Sequence, residues 1–108
     1  MRKGKVYVSD RFAGIIEEDE NGYGFAYESS YLSSDNPLPV SLTLPLSNEE
    51  YHSKTMFPFF DGLIPEGWLL KLSTQTFGVN NLDRMGLLLL TCKDPIGNVS
   101  VEDYSDDL

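Results

Sequence analysis

The 108-residue sequence has one cysteine, one histidine, one tryptophan and few cations, and each scarcity removes a class of function. Cys92 alone allows no internal disulfide and no multi-cysteine metal site, and within "LLLLTC" it reads as a small buried hydrophobe. His52 in "SNEEYHSK" has no second histidine to share a metal and no serine or cysteine that it visibly activates, so it reads as a solvated loop residue. Eight Lys and Arg against 17 Asp and Glu leave a formal charge of −9. That balance withholds the positive field that phosphate backbones require, so direct nucleic-acid binding is disfavoured and basic surfaces are favoured. No stretch reaches the roughly 18 apolar residues of a membrane span, and "MRKGKVYVSD" carries cations with no apolar run behind them. The reading is a cytoplasmic protein with no membrane contact.

Recognisable chemistry is equally scarce. There is no Walker-type lysine motif, and Gly22-x-Gly24 lacks a third glycine and a following helix, which makes it a hairpin feature. The carboxylates of "EEDE" at 17–20 and "EDYSDD" near the end lack the apolar setting that raises a general acid's pKa. They read as solvated loops, with a weak calcium contact as the lesser alternative. No catalytic residue, cofactor or metal site is assigned, and a non-enzymatic domain that acts by binding is expected.

What is present is a folding sequence. Hydrophobic residues make up 41%, with six tyrosines and six phenylalanines, and the length fits one domain over residues 1–108. The first half alternates in short runs. Val6 and Val8 open the pattern, "AGIIEE" follows, and Asn21-Gly22 marks a turn between two hairpin arms. In "PLPVSLTLPLS" the alternation of Val40, Leu42, Leu44 and Leu46 with polar or proline positions predicts a strand with one buried face. The prolines at 37, 39 and 45 place it at an edge.

The period changes after residue 55. Met56, Phe59, Phe60, Leu63 and Ile64 predict a short helix with Thr55 as N-cap and Pro58 in its first turn. A second helix is predicted over about 65–77 with Gly78 as its stop, and a third, capped by Asn80 or Asn81, runs through "MGLLLLTC" as the most buried helix. "NVSVE" returns as a strand before an acidic tail that frays from about 103. The fold class is α+β: a small antiparallel, partly barrel-like sheet with three short helices.

Taken in order, "PLPVSLTLPLS", "MFPFFDGLIPEGWLL" and "RMGLLLLTCKDPIGNVSVE" resemble the amino-terminal subdomain of HipA-type serine/threonine kinases over roughly residues 4–102. The most specific part is Phe59-Phe60-Asp61-Gly62-Leu63-Ile64-Pro65-Glu66. HipA-type kinases continue into phosphate-binding and catalytic loops absent here, so the resemblance implies a detached subdomain, similar to HipS of the tripartite HipBST toxin–antitoxin systems. It further implies an antitoxin that neutralises a HipT-like kinase by protein–protein contact, in a larger complex with a HipB-like DNA-binding protein. A non-inhibitory assembly module between kinase and DNA-binding protein is the alternative, as is an amino-terminal piece of a longer HipA-type kinase.

Gly67-Trp68 departs from the family pattern, which has a small or polar residue there. Trp68 follows a helix break at Pro65, Glu66 and Gly67, and an exposed tryptophan can bury about 150–250 Å² at an interface. The competing reading packs it in the core beside Leu72. The partner-binding candidates are Asp61, Gly62, Pro65, Glu66, Gly67 and Trp68, forming a loop expected to reach the kinase active-site region. Asp61 and Glu66 are placed to meet cations, or else to cap and solvate their helices.

Overall fold

Alternation in the first 27 residues becomes three antiparallel strands in the computed structural model, which describes residues 2–64, 83–92 and 98–104. Strand β1 (Arg2–Val8) turns its Gly4, Val6 and Val8 inward. Ser9 and Asp10 then both adopt positive φ, 50° and 68°, and close a two-residue turn into β2 (Arg11–Asp19). Positive φ at both central residues matches the right-handed twist of the flanking strands, which is why so tight a hairpin forms without glycine. The register slips once, between Val6 and Tyr7, where the ladder bulges.

The β2–β3 turn lies one residue earlier than the sequence signal. Asp19 pairs with Gly22, so Glu20 and Asn21 make the turn, and Asp19 Oδ1 accepts from the Asn21 amide at 2.8 Å. Gly22 opens β3 (Gly22–Tyr27) at φ 134°, and a Cβ there would lie 2.4 Å from the Ser53 carbonyl oxygen. A single helical turn, α1 (Ser29–Leu32), follows where the sequence reading had none. It buries Tyr31.

Residues 37–47 correct the strand predicted there. The Leu44 amide donates to the Ser41 carbonyl at 3.1 Å, and the Thr43 amide donates to Ser41 Oγ at 3.2 Å. The chain therefore doubles back in a turn. Three prolines remove ladder donors, and the Ser and Thr hydroxyls give the backbone a local alternative to a sheet. Val40 and Leu44 are buried while Leu42 is 96% exposed, so the even positions do not share one face. The strand that does form is β4 (Tyr51–Ser53), and it carries His52, read from sequence as a loop residue. His52 is indeed solvated, with 73% of its side chain exposed.

Helix α2 (Pro58–Asp61) starts later than predicted, with Phe57 in place of Thr55 at the N-cap. The cause is Pro58: its ring excludes the preceding residue from helical geometry, and Phe57 sits at ψ 132°. Helix α3 (Arg84–Thr91) is capped by Asp83, whose carboxylate accepts from the Gly86 amide at 3.1 Å, rather than by Asn80 or Asn81. The helix predicted over 65–77 and its Gly78 stop lie outside the described residues. Strand β5 (Val99–Asp103) closes the order β4-β3-β2-β1-β5, an open antiparallel sheet. Its pairing passes the point where the tail was expected to fray: Asp103 faces Gly4, and the Tyr104 amide donates to the Lys3 carbonyl at 2.9 Å.

One face of the sheet packs on α2 and α3. Phe25 sits between Tyr27 and Phe60, with ring centroids 4.9 and 5.5 Å away. Helix α3 approaches β1 so closely that a Cβ on Gly4 would lie 2.8 Å from Leu89. Met85, Leu87 and Leu88 are fully buried while Leu90 is 36% exposed, so α3 is deeply set on one side. Cys92 is buried as expected, and its carbonyl accepts the Val101 amide at 2.9 Å, tying the end of α3 to β5.

Candidate functional site

The "FFDGLI" motif becomes a corner. After α2 the chain tightens, the Leu63 amide donating to the Phe60 carbonyl at 3.0 Å and the Ile64 amide to that of Asp61 at 3.3 Å. Phe60 and Ile64 point into the core, Phe59 and Leu63 are half-buried, and Asp61 and Gly62 are left at the rim. Gly62 has φ −71°, open to any residue, so the backbone does not demand glycine there.

Of the six residues expected to meet a partner, the structure places Asp61 and Gly62 side by side. Pro65, Glu66, Gly67 and Trp68 lie outside the described residues. Asp61 Oδ1 accepts from Arg84 Nε at 2.5 Å, which links the end of α2 to the start of α3. With 44% of its side chain exposed, Asp61 still faces solvent.

A second ionic cluster lies beside Arg84 in sequence and was not foreseen. Arg2 Nη2 donates to Asp83 Oδ1 at 2.7 Å and Nη1 to Oδ2 at 3.0 Å, while its Nε donates to Glu18 at 2.7 Å. These are the fork geometries that make Arg–carboxylate pairs directional. The hydrogen bond from Arg2, helped by the Gly86 amide, holds the Asp83 carboxyl below its ordinary range, and the Asp83 bond raises the Arg2 guanidinium. One carboxylate thus caps α3 and fastens it to the first strand. Arg2 and Asp83 are 81 residues apart, so no local pattern announces the pair.

At the β2–β3–β4 edge a shallow groove of about 370 Å³ is lined by Glu17, Asp19, Tyr23, Glu50, His52 and Lys54, among others. Among the described residues no group of three or more His, Cys, Asp or Glu side chains is arranged to hold a metal ion. No described helix is long and apolar enough to cross a membrane.

Comparison with known proteins places the sequence and the fold. The sequence model described as "HipA N-terminal domain" matches residues 4–102. A Haemophilus influenzae protein described as "Uncharacterized protein" is 32% identical over 103 residues, spanning 95% of this chain and 93% of that protein. "Putative kinase Y4mE" of Sinorhizobium fredii is 34% identical over 89 residues, 82% of this chain but 21% of that protein. Among solved structures, "N-terminal domain of HipA toxin" superposes with a TM-score of 0.76 at 28% identity, covering 99% of this chain and 96% of that one.

Proposed function

The chain belongs to the HipA N-terminal domain family, and from that premise we propose that it binds a HipT-like serine/threonine kinase and neutralises it, as a HipS-like antitoxin. One observation carries the reading. The same module makes up 21% of a protein named a putative kinase and 93% of a small relative in Haemophilus influenzae. A module joined to a kinase in one chain keeps its docking surface when it is a separate polypeptide, and the contact then becomes an intermolecular one. In this role the rim formed by Asp61 and Gly62, together with the sequence candidates Pro65, Glu66, Gly67 and Trp68, meets the active-site region of the kinase and obstructs substrate entry or closure of a mobile loop. The formal charge of −9 favours encounter with a cationic nucleotide-binding cleft.

The test is co-expression with a HipT-like kinase polypeptide that lacks this module. Growth rescue and co-purification are the expected results, and Trp68→Ala is expected to abolish rescue while the variant remains folded. Full inhibition by Trp68→Ala with unchanged binding would remove the tryptophan from the mechanism. Rescue that appears only when a DNA-binding partner is also supplied would replace the inhibitor reading with an assembly role.

A further inference from the structure

Residues 36–48 contain no charged side chain, in a chain that is 23% charged. An uncharged surface loop of this length is unusual in so acidic a protein, and its shape is fixed by side chains. Tyr31 Oη donates to the Leu38 carbonyl at 2.7 Å and accepts from the Leu38 amide at 2.9 Å. Tyr27 Oη accepts from the Val40 amide at 3.0 Å and donates to the Leu44 carbonyl. Tyr51 Oη donates to the Pro45 carbonyl at 2.6 Å. Three tyrosines thus hold both arms of the turn, with Val40 and Leu44 buried beneath it. Leu42 stands at the tip, 96% exposed, flanked by Leu38 at 49% and Leu46 at 37%.

We propose that this tyrosine-pinned turn is a docking anchor, with Leu42 seating in an apolar pocket of the partner kinase at a contact separate from the Asp61–Gly62 rim. The proposal rests on the kinase-binding reading above. Single exposed leucines are common and need no explanation, but this one sits on a turn whose backbone is held by five hydrogen bonds with tyrosine hydroxyls, three donated by them and two accepted. A loop already ordered loses little conformational freedom on docking, so burial of its tip contributes to affinity with little offset. The occupant follows from that reading, because a related module is joined to a putative kinase in one chain. The formal charge of −9 disfavours an anionic lipid surface.

The experiment measures dissociation constants for the full chain and its variants against a HipT-like kinase polypeptide that lacks this module, with thermal melting of each variant alone. Leu42→Ala is expected to weaken binding about tenfold and Leu42→Asp about a hundredfold, with melting unchanged. Tyr31→Phe, which releases both Leu38 bonds and leaves Leu42 in place, is expected to weaken binding a few-fold by loosening the turn. Wild-type binding that Leu42→Asp leaves intact overturns the anchor and leaves the kinase-binding reading standing. Absence of wild-type binding overturns both. A change confined to self-association of the chain assigns the turn to a second copy and also overturns the anchor.

Discussion

Two side chains each hold together segments that sequence order keeps apart. Tyr27 is 8% exposed, and its hydroxyl serves the backbone at Val40 and Leu44, so its ring packs with Phe25 while its oxygen replaces a missing ladder. Tyr27→Phe keeps the packing and strands a buried amide and carbonyl. The expected loss is about 1–3 kcal/mol in chemical denaturation, with faster amide exchange at Val40. Asp83 is the other. Because its folded pKa lies below the ordinary value of 3.8, its contribution is fully present above that value and is lost as the pH falls through the depressed one. Asp83→Asn is therefore expected to cost about 0.5–1 kcal/mol at neutral pH, the pair being partly exposed. The gap between variant and wild type should close as denaturation is repeated from about pH 5 down to pH 2. A gap independent of pH would mean that the loss does not come from the charge of Asp83.

At the scale of elements, close approaches of the backbone decide which glycines matter. A Cβ on Gly14 would lie 2.3 Å from the Ala26 carbonyl oxygen in the neighbouring strand, a contact that only movement of the ladder relieves. A Cβ on Gly24 would meet Glu50 Oε2 at 2.5 Å, but this is the end of a flexible side chain. Thermal melting should show Gly14→Ala destabilised by about 2–4 kcal/mol and Gly24→Ala by less than about 1 kcal/mol. The hairpins, the late helix and β5 were legible because Val6 and Val8, Met85 and Leu88, and Val99 and Val101 each repeat at the period of their element. The 37–47 run was misread because its alternation has the period of a strand, while its three prolines and the Ser41 and Thr43 hydroxyls favour a turn. Caps were displaced for local reasons. Pro58 forces Phe57 out of the helix, and Asp83 takes the cap that Asn80 or Asn81 was expected to supply.

For the whole molecule, the proposed kinase complex predicts separable contributions to binding from the acidic excess and the uncharged loop. Raising salt from about 50 to 500 mM is expected to slow association with the kinase markedly, because screening shortens the Debye length from about 14 to about 4 Å. The fold loss caused by Leu42→Ala should stay constant across that range. If it shrinks with added salt, the turn is contributing through charge placement and not through apolar burial.

The sequence by itself determined the fold class, the family and the rim motif, because the apolar periods and the ordered FFDGLIPE stretch are local properties of the chain. It also determined the charge that governs which partners can approach. Tertiary structure alone decided that Asp61 pairs with Arg84, that Arg2 reaches Asp83 across 81 residues, and that Tyr27, Tyr31 and Tyr51 converge on one turn. The physical reason is the same in each case. A hydrogen bond or ion pair between distant residues leaves no periodic trace in the sequence, and it forms only after the sheet and helices have brought the partners within about 3 Å.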